Sequence, residues 1–112
     1  MEKSLVGLLT YRLDDTSCEV ISLDSLTEDQ GIGSALLQSV EQTAKENGCH
    51  RIWVVTTNDN IHALRFYQRR GYVLAAVHCN ALEISRQLKP QIPLIGNEGI
   101  PLRDEIEFEK QL

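Results

Sequence analysis

The chain opens with two β-rich runs, Leu5 to Leu13 and Cys18 to Leu26, parted by the polar turn formers Asp14, Asp15, Thr16 and Ser17. A break of that kind between two such runs predicts an antiparallel hairpin. Side chains alternate along a strand, so Glu19, Ile21, Leu23 and Ser25 share one face of the second run, and Val20, Ser22, Asp24 and Leu26 share the other. Glu19 and Asp24 are therefore expected to oppose each other unless a bulge intervenes. From Ile32 the period changes. Ile32, Ala35, Leu36, Val40 and Ala44 recur at helical spacing, Gln38, Glu41, Gln42 and Lys45 fall elsewhere, and Asn47-Gly48 supplies a left-handed stop. Arg51 to Thr57 is apolar on both faces through Ile52, Trp53, Val54 and Val55, as expected of a central strand covered on two sides and paired parallel to the hairpin's second strand.

Asn58, Asp59 and Asn60 offer capping side chains for a second helix over about Ile61 to Arg70, with Arg69 and Arg70 at its negative end and Gly71 closing it. Tyr72 to His78 reads as a strand. Asn80 is placed to cap a short helix through Leu88, ending before Pro90, and Pro93 to Pro101 is a connection punctuated by proline and glycine. Glu105 to Leu112 alternates Ile106 and Phe108 with glutamates, which predicts a half-exposed strand antiparallel to the preceding one. The pattern contains no repeat and no low-complexity tract, so residues 1–112 are read as a single domain.

Between the hairpin and the first helix stands Glu28-Asp29-Gln30-Gly31-Ile32-Gly33-Ser34. Gly31 and Gly33 carry no Cβ, and the first turn of the following helix leaves N–H groups without intrahelical partners. With the positive end of the helix dipole behind them, those donors suit a phosphate or pyrophosphate. A tight strand-to-helix turn would use the same glycines. A nucleotide site of the P-loop type is disfavoured, because no Gly-Lys-Ser/Thr follows.

Gly31-x-Gly33-x-Ala35-Leu36-Leu37, a helix, an apolar strand and then Asn60-x-x-Ala63-x-x-x-Tyr67-x-x-x-Gly71-Tyr72 follow one another in an order that resembles the GNAT superfamily of acetyl-CoA-dependent N-acetyltransferases, over roughly Leu5 to His78. The resemblance implies an α/β (α+β) fold: a mixed, mostly antiparallel sheet with one central parallel pair and helices packed on its faces. It also implies acetyl-CoA as co-substrate. Gln30, Gly31, Ile32, Gly33 and Ser34 would hold its pyrophosphate, the backbone of Ser25 and Leu26 would bind the pantetheine arm like an added strand, and Asn60 would steady that arm. Tyr67 matches the family's donor to the departing thiolate. The family's loop usually begins with Gln or Arg where this chain has Glu28, which leaves the backbone donors to do the binding. The family also has a strand, two helices and another strand before the hairpin, so this chain is N-terminally short by comparison.

Acyl transfer to an amine needs a base to deliver the amine neutral and an acid for the leaving thiolate. Glu19 and Asp24 are the carboxylates on the strand beside the acyl group; Asp24 is the first choice as base or water anchor, and a solvated strand carboxylate is the alternative. His50, His62 and His78 show no metal spacing and no metal is expected. No cysteine or serine is placed as a nucleophile, so direct attack by the amine is the economical route. Two readings remain: an N-acetyltransferase acting on a primary amine of a small molecule or peptide, or a non-catalytic CoA-binding or assembly module.

Eleven basic against sixteen acidic residues give a net charge of −5, which argues against nucleic-acid and anionic-membrane partners. Cys18, Cys49 and Cys79 are scattered and odd in number, and no long apolar span is present, so a reducing cytoplasm is the expected location. A chain that begins at a hairpin strand is expected to expose an edge, and a homodimer would cover it.

Overall fold

A computed structural model describes residues 7–25 and 31–112, with the side chains of Gly7, Asp24 and Ser25 outside the description. Five strands and three α-helices follow one another: β1 (Gly7–Leu13), β2 (Ser17–Ser25), α1 (Ile32–Glu46), β3 (Arg51–Thr57), α2 (Ile61–Arg69), β4 (Val73–His78), α3 (Ala81–Leu88) and β5 (Glu105–Gln111). The sheet order is β1-β2-β3-β5-β4, so β3 is central and the last strand inserts beside it rather than adding at the edge. β2 and β3 form the parallel pair, Ser17 to Val20 lying against Arg51 to Val54, and both strands run on past that ladder. The hairpin pair and the β4–β5 pair are antiparallel, giving the mixed, mostly antiparallel α/β sheet.

Contacts gather into two compact units, 1–54 with 111–112 and 55–110, and β3 contributes to both. In the first, α1 packs on β1 and β2 and buries Leu37, Val40 and Ala44, while Cys18, Val20, Ile52 and Val54 are buried from the strands. The inward stripe of α1 differs from the one expected. Gly33, Leu37, Val40 and Ala44 face in, and Ala35 is exposed. Leu36 and Leu37 serve either stripe by spacing alone; a buried, side-chain-free Gly33 belongs to the one that includes Leu37.

The hairpin carries the bulge on which the placement of Glu19 and Asp24 depends. Thr10 pairs with Ser22 and Tyr11 with Val20, so Ile21 has no opposite residue, and strict alternation ends there. Cys18 and Val20 are buried while Ile21 is exposed. The two carboxylates are thus not assigned to opposite faces.

The second unit is built around Phe108 of β5, which is 0% exposed, with Tyr67, Tyr72, Ala63, Leu82 and Leu102. Burial of side chains this size contributes about 1.5–3 kcal/mol each. Tyr67 meets the ring of Tyr72 at 5.4 Å and that of Phe108 at 6.0 Å. Arg86 of α3 fastens the following connection by donating to the carbonyls of Ile92 (3.2 Å), Pro93 (2.7 Å) and Leu102. Asn80 precedes α3 in a left-handed conformation (φ 62°), and its side chain makes no cap bond. Its own N–H instead donates to Asp104 Oδ1 at 2.8 Å, so the turn is held from the far side of the connection.

Candidate active site

The start of α1 is the described part of the expected anion cradle. Gly31 occupies the N-cap with φ 71° and ψ 11°, a left-handed conformation that disfavours any residue with a Cβ. The helical ladder opens with Ala35 N–H donating to Gly31 C=O at 3.0 Å, so the N–H groups of Ile32, Gly33 and Ser34 precede its first rung. No side chain caps the helix, and its first turn carries no acid to repel an anion. Among the described residues, leaving aside the chain neighbours and the helix backbone, no atom lies within 4 Å of where a Gly31 Cβ would stand. These features fit a pyrophosphate. Leu26, Glu28 and Gln30 lie outside the described residues.

On β2, Glu19 is engaged by Arg12, its partner across the hairpin, whose Nη2 lies 2.7 Å from Oε1. That ion pair occupies one of the two carboxylates considered as base. The backbone of Asp24 pairs with Leu8 and that of Ser25 with Gly7.

Asn60 and Tyr67 belong to one helix, α2. Asn60 is its N-cap, and Oδ1 accepts the Ala63 N–H at 3.0 Å. This bond fixes which end of the amide is oxygen and leaves Nδ2 as a donor to which no hydrogen bond is assigned among the described residues. Capping and ligand binding are therefore compatible in one side chain. Tyr67 is 5% exposed, its ring packed edge-on to Phe66 at 5.2 Å. Burial pushes its phenol up to about 12, so it keeps its proton throughout the neutral range. Its hydroxyl has no hydrogen-bond partner among the described residues, yet no fully buried side-chain oxygen or nitrogen among them lacks one. No group among the described residues competes for its proton.

Three neighbouring polar residues share the work at the β3–α2 corner, where sequence pattern groups them all as caps. Asn58 reads the backbone before β5, its Oδ1 accepting from Arg103 N (3.1 Å) and Asp104 N (3.0 Å) while Nδ2 donates to Pro101 O (2.9 Å). Asp59, 5% exposed, accepts from Thr57 Oγ1 at 2.5 Å and from Asn97 N at 2.8 Å. Burial by itself would raise its pKa, but the bonds donated by Thr57 and by the Asn97 backbone outweigh that and hold the carboxyl below its usual value. Only Asn60 caps. A cleft of about 250 Å³ lies at this corner, lined by Asp59, Asn60, His62, Arg65, Asn97 and Glu98. The Asp59–Asn97 link joins residues 38 apart in sequence, and no local pattern announces it.

Cys18 and Cys49 are buried and Cys79 is exposed. Burial, with Cys49 nearby, pushes the Cys18 thiol up to about 11, which leaves it protonated and a poor nucleophile. His78 pairs with Glu107 at 3.2 Å. Among the described residues no group of three or more His, Cys, Asp or Glu side chains is arranged to hold a metal ion, and no helix is long and apolar enough to cross a membrane.

Residues 1–72 match the model of the acetyltransferase (GNAT) family. This chain belongs to the GNAT family. Among curated proteins it is 55% identical over 106 residues to uncharacterized protein YdhI of Bacillus subtilis (strain 168), covering 95% of this chain and 66% of that one. To uncharacterized protein YxbD of the same organism it is 49% identical over 111 residues, covering 99% of this chain and 70% of the other. The chain thus spans about two thirds of these relatives' length. A GNAT family acetyltransferase from Elizabethkingia anophelis with acetyl-CoA bound superimposes with a TM-score of 0.83 at 22% identity, over 97% of this chain and 70% of that one. A Bacillus subtilis acetyltransferase in complex with CoA gives 0.83 at 23%, over 100% and 72%. At such identities the likeness establishes the GNAT fold.

Proposed function

We propose that this GNAT chain transfers the acetyl group of acetyl-CoA to a primary amine of a small molecule or peptide by direct attack. The observation that carries the proposal is Tyr67: a protonated phenol with no hydrogen-bond partner among the described residues, its ring held by aromatic packing. A donor meant for a leaving group has to be kept charged with its proton and otherwise unoccupied.

In the proposed step the amine nitrogen first loses a proton to a base. The neutral amine then forms the new C–N bond as the thioester C–S bond breaks, the thiolate takes the Tyr67 proton, and the proton shed by the acylated nitrogen passes through solvent to restore the Tyr67 phenol. Asp24 remains the first choice as base, since Glu19 is engaged with Arg12. The N–H groups from Gln30 to Ser34 receive the pyrophosphate, the backbone of Ser25 and Leu26 pairs with the pantetheine arm, and Asn60 Nδ2 donates to an arm carbonyl. The thioester supplies the activated acyl group, and the step as written uses no metal. We place the protein in the cytoplasm as a homodimer without nucleic-acid or membrane partners. The high pKa of Cys18 supports direct attack over an acyl-enzyme.

The test is release of CoA thiol from acetyl-CoA across a panel of primary amines. Tyr67→Phe keeps the ring and should lower kcat by about 10²–10⁴-fold while acetyl-CoA affinity and thermal stability stay nearly intact. Full turnover in that variant removes Tyr67 from the mechanism. Binding of acetyl-CoA without thiol release for any amine favours a CoA-binding module instead.

A further inference from the structure

The cleft at the start of α2 contains two charges that the acetyl-transfer reading leaves unused. Arg65, on an exposed position of α2, has no hydrogen bond or ion pair among the described residues. Glu98, on the turn Asn97–Gly99, has none either. Both line the same space of about 250 Å³, and no ion pair joins them across it.

Glu98 is held there at a cost. Its backbone is left-handed (φ 57°, ψ 25°), a conformation that non-glycine residues adopt only when their surroundings impose it. The surroundings do so. Asn97 N–H is bound by Asp59 Oδ2 at 2.8 Å, Ile100 N–H by Asn97 C=O at 3.1 Å, and Gly96 N–H by Ile100 C=O at 2.8 Å. Asp59 is 5% exposed and each of its oxygens already accepts one bond, from Thr57 and from Asn97, so it anchors the turn. The free carboxylate is that of Glu98.

A ligand with one positive charge would meet Glu98 but also Arg65, and an anion would meet the reverse. A molecule carrying an ammonium and a carboxylate satisfies both, and an arginine takes a carboxylate through two parallel bonds. We propose that this cleft binds a free amino acid as its zwitterion, the carboxylate on Arg65 and the ammonium on Glu98, and that such amino acids are the acceptor class of the enzyme. Asn60, assigned above to the pantetheine arm, also lines the cleft, so the acceptor reading rests on the acetyl-transfer proposal while the binding itself does not.

The test follows backbone amide resonances of the ¹⁵N-labelled full chain titrated with L-serine, L-glutamate and L-lysine, and with the methyl ester and N-acetyl form of each. The free amino acids should move the resonances of residues 59–65 and 96–99, and either modification should weaken binding by about tenfold or more. Arg65→Gln should abolish the preference over the ester, and Glu98→Gln the preference over the N-acetyl form, each in a chain whose spectrum stays dispersed. Equal binding of acid and ester, an ester preference that survives Arg65→Gln, or no shift at about 10 mM of any of the three overturns the proposal. If the amino acids bind but thiol release never follows, acetyl transfer fails and the binding site stands. If Arg65→Gln acetylates amino acids as well as the unaltered chain does, transfer stands and this acceptor class falls.

Discussion

Replacing Asp59 by asparagine tests whether one buried carboxylate holds the connection before β5 in place. In the folded chain each carboxylate oxygen accepts a different donor, Thr57 Oγ1 at 2.5 Å and Asn97 N at 2.8 Å. Asparagine keeps one acceptor and turns an NH₂ toward the other donor. Thr57 Oγ1 can rotate to accept from that NH₂, so the loss is the charge assistance of two hydrogen bonds, about 1–3 kcal/mol. Urea unfolding followed by circular dichroism at pH 7 should show the midpoint falling by about 1 M at unchanged slope. Thermal unfolding should shift by about 10 °C. The carboxyl is held below its usual value, so its contribution is fully present above the unfolded-state pKa of about 3.9 and is lost as pH falls through the lower folded-state pKa. The amide of the Asp59→Asn variant does not titrate. The stability gap between the two proteins should therefore be widest near neutrality and narrow below about pH 4. A gap under about 0.5 kcal/mol, within the range of ordinary surface changes, or one that stays constant down to about pH 3, refutes the account.

Gly96→Ala should cost about 2 kcal/mol or more, because a Cβ there would stand 2.2 Å from Asp59 Oδ2; combined with Asp59→Ala in a double-mutant cycle by the same urea assay, most of the added cost should vanish. Valine at Gly31 and Gly33 should weaken acetyl-CoA binding by about tenfold or more in calorimetry, the worth of one charge-assisted bond, and unchanged affinity in a folded variant places the anion site elsewhere. Light scattering tests the proposed homodimer: twice the chain mass of 12.6 kDa is expected, since β4, last in the strand order, exposes Val73, Leu74 and Val77, and a strictly monomeric mass at high concentration counts against it.

What could be read from the sequence was what period and turn chemistry encode locally. The apolar run of Arg51–Thr57 marked the central strand, and Gly48 (φ 83°) and Gly71 (φ 90°) ended their helices as expected. The cap at Asn60 was legible for the same reason: donor and acceptor sit three residues apart. The inward face of α1 was legible only in part: Val40 and Ala44 are buried as expected, but Leu36 and Leu37 are equally apolar and only packing chooses between them. The place of β5 between β3 and β4 was not legible, because it depends on pairing across dozens of residues. Asp59 shows the limit most plainly. Its identity fitted a generic cap, while its actual partners include a backbone amide at Asn97. Arg65 and Glu98 looked like ordinary surface charges, since nothing in a single sequence says that they line one space.

The bulge at Ile21 in β2 makes length, rather than composition, the setting on that strand. Beyond a one-residue bulge, which side of the sheet a residue faces is decided by a count, and removing Ile21 would turn every later side chain of the strand to the opposite side at a stroke. Under the proposed acetyl-transfer reading, in which the backbone of this strand would hold the cofactor arm, this would change what meets the acceptor while the grip on the arm stayed with groups that every residue carries.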